Sequence, residues 1–113
     1  MRIIYLLFLS SITQGLFSQI KKDYYDAAQT KLKSETDYYK GMPHGLHREY
    51  YASGKLSTKG FYNYGKEDST WTFYFEDGKT KALEHFVSGK KWGTFSYYFK
   101  SGAISQRTKY QNN

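Results

Sequence analysis

The sequence predicts an all-β chain, a single-layer antiparallel meander of repeated hairpins, and three observations carry that prediction. Aromatic residues fill 20% of the 113 positions, with 13 Tyr and 8 Phe beside 10 Gly and a single Pro. That mixture favours strands and tight turns over helices. Five columns recur at a step of 24 residues: Gly41/Gly65/Gly89, Tyr50/Tyr74/Tyr98, Tyr51/Phe75/Phe99, Gly54/Gly78/Gly102 and Tyr62/Phe86/Tyr110. Self-similarity at a fixed period marks a repeat architecture. Finally, Asp77-Gly78 sits between alternating apolar residues, a strong short-range hairpin signal.

Taken in order, the chain opens with an expected export leader over residues 1–18. Arg2 supplies a short positive region, Ile3 to Leu9 is an unbroken apolar run, and Ser18 is a small residue suited to the position before cleavage. Ser10, Ser11, Thr13 and Gln14 interrupt the run well short of the ~20 apolar residues that span a membrane. A buried N-terminal strand is the competing reading. The expected destination is the periplasm, the outer-membrane surface or the outside of the cell. Loss of residues 1–18 removes Arg2 alone and lowers the net charge from +7 to +6. With no Cys in the chain, disulfides, thiolate nucleophiles, thiolate metal sites and a lipid-anchored Cys are all excluded.

Residues 19–40 read as a degenerate first unit or N-terminal cap. Tyr24 and Tyr25 stand as its aromatic pair, and Asp26 to Thr30 form a turn with two extra residues. A short helix around Asp26–Leu32 competes with that reading. Three full units follow, at 41–64, 65–88 and 89–112. Each is expected to hold a two-residue turn at Ser53-Gly54, Asp77-Gly78 or Ser101-Gly102. A longer connection opening with Gly65-Lys66 or Gly89-Lys90 should join one unit to the next. A single hairpin of this size is not stable by itself, so stacked neighbours must supply the burial.

From the expected turn at Asp77-Gly78, Glu76 faces Lys79, Phe75 faces Thr80, Phe73 faces Ala82 and Trp71 faces Glu84. Side chains alternate between the two faces of a strand. One face, the core face, then carries Trp71, Phe73, Phe75, Thr80, Ala82 and Phe86. The next unit adds Phe95, Tyr97, Phe99, Ile104 and Tyr110. The preceding unit adds Tyr51, Leu56 and Tyr62, with His47 and Glu49 as polar departures. Aliphatic side chains are few, so aromatic faces must do the burying. The opposite face carries Tyr50, Tyr74 and Tyr98 in a row among Arg48, Lys59, Lys81, Arg107 and Lys109. These eight residues are the candidate binding face. A row of Tyr also serves as packing between adjacent hairpins, and lysines also serve as solvated cover.

These columns resemble the MORN-repeat variant found in bacterial exported proteins. The second unit carries the resemblance most fully, as Gly65-Lys66-Glu67-Asp68-Ser69-Thr70-Trp71-Thr72-Phe73-Tyr74-Phe75-Glu76-Asp77-Gly78-Lys79, with Ser69 where the family prefers Gly. In the third unit Phe95 replaces the Trp, and in the first His47 does. The resemblance implies an extended meander that acts as a scaffold or binding module. It also implies a link to phospholipid membranes, and a related branch is labelled putative antitoxin.

No catalytic constellation emerges. His44, His47 and His85 lack metal-ligand spacing. Gly60 to Glu67 imitates part of a phosphate-binding loop but lacks the Ser or Thr that holds Mg²⁺ and precedes no helical pattern. Glu67-Asp68 and Glu76-Asp77 fall in turns, where water keeps carboxylates ordinary. The expectation is a non-enzymatic protein without metal or cofactor. Expected export argues against nucleic acid as a partner, although basic residues interleaved with aromatics suit it elsewhere. The favoured function is a protein-interaction scaffold in the envelope or outside the cell. The alternatives are binding of anionic lipid or glycan through the basic Tyr-rich face, and an antitoxin-like inhibitor.

Overall fold

A computed structural model describes residues 17–111. The expected leader falls outside the described residues except for its last two positions. The described residues contain no helix and form nine antiparallel strands in one open sheet. These are β1 (Gln19–Tyr24), β2 (Leu32–Tyr39), β3 (Met42–Tyr50), β4 (Leu56–Asn63), β5 (Lys66–Tyr74), β6 (Thr80–Val87), β7 (Lys90–Lys91), β8 (Gly93–Tyr98) and β9 (Ile104–Tyr110). Neighbours in sequence are neighbours in space, so the sheet is a meander, with β6 pairing both the short β7 and β8. The Cα envelope measures 64 × 37 × 14 Å, the thickness of one layer.

Two kinds of turn alternate, and their lengths are the reverse of the sequence expectation. The connections expected to be long are the tight ones: Tyr39 pairs Met42, Asn63 pairs Lys66 and Val87 pairs Lys90. Their central residues, Lys40-Gly41, Tyr64-Gly65 and Ser88-Gly89, all have positive φ (45° to 82°). That is the signature of a type I′ turn, whose twist matches the strands it joins. The connections expected to be two-residue turns have three. Phe75 N–H donates to the Lys79 carbonyl, Gly78 N–H donates to the Phe75 carbonyl, and Gly78 sits at φ 88°. This is a type I turn closed by a bulged glycine. The same bonds recur from Tyr51 to Lys55 and from Phe99 to Ala103. In the first hairpin Tyr25 bonds Lys31, so five residues, 26–30, fill the loop, and no helix forms there. Asp26 organises that loop by accepting bonds from the Thr30 hydroxyl and the Thr30 and Lys31 N–H groups. Chiefly the Thr30 hydroxyl bond, then the Lys31 N–H, holds the Asp26 carboxyl below its usual range.

Register corrects the expected pairing near these turns. Trp71 pairs Glu84 and Phe73 pairs Ala82, as the alternation requires, but Tyr74 pairs Thr80. Lys81 is therefore an extra, bulged residue. The same shift leaves Lys33, Ser57 and Ser105 unpaired in the other hairpins, all at the 24-residue step. Beyond the bulge, Leu56, Thr80 and Ile104 lie opposite Tyr50, Tyr74 and Tyr98 instead of Tyr51, Phe75 and Phe99. Phe99 and Ile104, expected in the core, are 57% and 47% exposed, whereas Tyr51, Phe75, Leu56 and Thr80 at the equivalent positions are half-buried, because β8 and β9 end the sheet order and no further hairpin among the described residues packs beside them.

The core is a chain of rings along one face. His47 meets Tyr62 at 5.4 Å, Tyr62 meets Trp71 at 5.0 Å, Trp71 meets Phe86 at 6.5 Å, Phe86 meets Phe95 at 5.5 Å, and Phe95 meets Tyr110 at 4.6 Å. Most of these contacts are edge-to-face, each worth roughly 0.5–1.5 kcal/mol beyond burial. Phe95 is 1% exposed and Trp71 5%, a depth reached in one layer because each ring is walled by those of the units beside it. Gly60 makes room for Trp71: a Cβ at that position would lie 2.2 Å from the indole ring. Trp71 Nε1–H then donates to the Phe61 carbonyl at 3.2 Å.

Candidate binding surfaces

The sheet offers two faces, and the candidate residues fall on the one without the ring chain. Register joins a lateral row across that face: Lys22, Glu35, Arg48, Lys59, Thr72, Leu83, Ser96 and Arg107 are successive cross-strand partners. Arg48, Lys59 and Arg107 thus share one line, while Lys109 lies opposite Thr94. Arg48 and Lys59 are directly opposed, a like-charge pair that is unfavourable unless an anion lies near. Glu35 supplies part of that need, with Arg48 Nη1 at 3.9 Å. Lys81, the bulged residue, holds its Nζ 6.0 Å from the Phe75 ring.

The Tyr row divides. Tyr50 donates its hydroxyl to Glu35 Oε1 at 2.7 Å, and the Tyr50 carbonyl accepts the Tyr25 hydroxyl at 2.6 Å. Burial first, then the Glu35 bond and charge, raises the Tyr50 pKa against a small opposing effect of Arg48. Tyr50 is therefore tied into the sheet. Tyr74 and Tyr98 are half-buried, and no hydrogen bond among the described residues engages either hydroxyl. Of the eight candidates, Arg48 and Tyr50 converge on Glu35. Tyr74 and Tyr98 lie toward the three-residue turns, and Lys59, Arg107 and Lys109 are exposed without an ion pair among the described residues.

Two features went unforeseen. The first is an open groove of about 370 Å³ on the core face of the first hairpins, walled by Asp23, Thr36, Tyr38, His47, Glu49 and Tyr62 among others. Within it His47 Nδ1 lies 2.7 Å from the Thr36 hydroxyl and Nε2 lies 3.1 Å from Glu49 Oε1. A hydroxyl, an imidazole and a carboxylate in line have the connectivity of a catalytic triad. However, His47 occupies the column held by Trp71 and Phe95 in the next units and packs edge-on against Tyr62 and at a tilt against Trp71. Its nitrogens are satisfied as a packing ring requires. Burial, then the charges of Glu67 and Glu49, raises the Tyr62 pKa. Among the described residues no group of three or more His, Asp or Glu side chains is placed to hold a metal ion.

The second feature is charge segregation. Residues 89–113 contain Lys90, Lys91, Lys100, Arg107 and Lys109 and no Asp or Glu, so the third unit carries five of the seven net positive charges. Residues 65–88 instead hold Glu67, Asp68, Glu76, Asp77 and Glu84. Counting charge unit by unit would have revealed this, and the meander places the cationic unit at one end of the sheet.

Comparison with known proteins agrees with this architecture. The family model described as MORN repeat variant matches residues 43–64 and 67–88. No curated protein and no solved structure matches the chain. MORN repeats form a non-catalytic repeat family generally involved in binding proteins or membrane lipids. The matched segments coincide with the hairpins β3–β4 and β5–β6 and with the rings His47, Tyr62, Trp71 and Phe86. Across residues 43–88 the chain is therefore built from two adjacent repeats of the MORN variant family.

Proposed function

We propose that this protein is an exported, non-catalytic scaffold that binds a protein partner in the cell envelope or outside the cell. The observation that carries the reading is the face bearing Tyr74 and Tyr98. Among the described residues their hydroxyls are unengaged and no carboxylate pairs Lys59 or Arg107 beside them, and the sheet's stacked rings lie on the other face. Tyr presents broad amphipathic area at low entropic cost and is enriched in interfaces. Export is supported by Arg2 and the apolar run Ile3–Leu9. The shallow groove and the packing role of His47 support a non-enzymatic reading.

The test is affinity co-purification from envelope extract with wild type and with a Tyr74→Ala, Tyr98→Ala double variant. A stoichiometric partner should accompany the wild type and fall at least about tenfold with the variant, a loss near 1.4 kcal/mol. Equal recovery with both, or a chain found in the cytoplasm with residues 1–18 still attached, refutes it. Anionic lipid or polysaccharide is the second reading, favoured by the uncompensated cations of residues 89–113. Co-sedimentation with anionic vesicles that weakens as salt rises would support it.

A further inference from the structure

We propose that the free edge of β9 captures an acidic, extended segment of the protein partner, which joins the sheet as its next strand. The inference rests on the scaffold reading and names the partner's chemistry. Strand β9 ends the sheet order and pairs only with β8, so no strand among the described residues covers its outer side. Residues 101–107 are all exposed. An uncovered edge is a template for strand addition, in which backbone bonds give affinity and alternating side chains give specificity.

Charge selects the occupant. Strand β9 carries Arg107 and Lys109 on one face, and Lys91 stands over the rings of Phe95 and Tyr110 on the other, at 5.8 and 5.1 Å. A flat membrane meets one face of a sheet, whereas a strand laid along the edge reaches cations on both. A second copy is a poor occupant: its β1 edge brings Lys21 and Lys22, and its β9 edge brings Arg107 and Lys109, so either joint opposes like charges. Lysines on an edge protect against self-pairing, and the same lysines welcome a strand with carboxylates. The ring chain ends at Tyr110, half-buried and open to the outside of the sheet. A segment alternating carboxylate with apolar side chains would pair Arg107 and Lys109 on one face and prolong the ring chain on the other.

The experiment titrates the full chain with a short capped peptide of alternating Glu and Val, following backbone amide shifts and hydrogen exchange. A peptide with Lys for Glu and vesicles of phosphatidylserine in phosphatidylcholine serve as comparisons. Saturable binding by the acidic peptide is expected. Amide exchange should slow by about tenfold or more at the alternate, outward-pointing N–H groups of residues 104–110 with no change over 19–24, as new backbone bonds require. Arg107→Glu with Lys109→Glu, both on exposed positions of a chain whose circular dichroism stays unchanged, should weaken binding by about tenfold, and salt should do the same. The inference is overturned by absent binding, equal binding of the Lys peptide, protection at β1 in place of β9, or vesicle binding with β9 exchange unaltered. If this titration fails while the Tyr74 and Tyr98 variant still loses its partner, the scaffold reading stands and docking is through the face. If both fail, the scaffold reading falls with it.

Discussion

Replacing Gly60 with Ala tests the ring chain at its tightest point. The added Cβ would stand 2.2 Å from Trp71 Cδ2, 2.4 Å from Cε2 and 2.5 Å from Cε3. Ordinary carbon contact needs about 3.5–4.0 Å, so the indole must retreat by more than 1 Å or the strand must bow. Retreat is obstructed by Tyr62 at 5.0 Å and His47 at 5.4 Å on Trp71, and it breaks the Nε1–H bond to the Phe61 carbonyl. Overpacking of this kind costs about 1–3 kcal/mol and the lost bond about 1 kcal/mol. A total destabilisation of about 2–4 kcal/mol is expected. The assay is urea unfolding followed by far-ultraviolet circular dichroism, in wild-type and Trp71→Ala backgrounds. With the indole gone the clash vanishes, and Gly60→Ala should become neutral or stabilising by about 0.5–1 kcal/mol through reduced chain entropy. A cost below about 1 kcal/mol in the wild-type background, or the same cost in both backgrounds, refutes the claim that Gly60 exists to seat Trp71.

Other substitutions probe the turns and bonds that repeat. Ser69 holds φ 62° in the column occupied by Gly45 at 122° and Gly93 at 74°, so Ser69→Gly should relieve about 1 kcal/mol of left-handed strain and raise Tm by about 4 °C, read by calorimetry. A lower Tm would place the Ser69 hydroxyl bond to Asp68 above that strain. Tyr51 donates its hydroxyl to the Tyr74 carbonyl at 2.6 Å, and Phe75 at the next step has no hydroxyl to offer Tyr98. Tyr51→Phe should therefore cost about 1 kcal/mol and Phe75→Tyr gain up to as much in the same urea assay. Burial, followed by its bond to Glu84 at 2.9 Å, pushes the Tyr97 pKa up to about 12 from 10.0. A raised folded pKa stabilises fully below the unfolded value, so this contribution should fade as pH climbs from about 10 through about 12. Tyr97→Phe should flatten that alkaline decline, and tyrosinate absorbance should show one fewer late-titrating ring.

The period was legible because each turn after the first hairpin leans on a glycine with positive φ, and rings at fixed offsets from those glycines must stack. Trp71, Phe73, Ala82, Phe86 and Phe95 follow from alternation alone. Turn length was not legible. Asp77-Gly78 suits a two-residue turn as well as a three-residue turn with a bulged glycine, and the backbone bond from Phe75 to Lys79 decides between them. At the true two-residue turns, Tyr64 and Ser88 take left-handed geometry without an Asn or Asp to signal it. That misreading passed straight into the pairing, since one bulged residue at Lys81 displaces Thr80 by a step. At the candidate face, the Tyr row was visible as a column, yet the bond to Glu35, formed across strands far apart in sequence, separates Tyr50 from Tyr74 and Tyr98. The edge position of the cationic unit depends on sheet order, which composition does not encode.

The two kinds of turn make the margins of the sheet unequal. Along the margin of type I′ turns, Gly65 N–H donates to Pro43 and Gly89 N–H donates to Glu67, while His44 and Asp68 accept from the N–H groups of Tyr64 and Ser88. The turns at Tyr64-Gly65 and Ser88-Gly89 are each clasped by the strand start preceding them, so an added residue there would unfasten its neighbour. The other margin already holds a five-residue connection at Asp26–Thr30 beside three-residue ones. Inserted peptide, whether acquired in evolution or grafted as an epitope, belongs on that permissive margin, at Ser53-Gly54, Asp77-Gly78 or Ser101-Gly102.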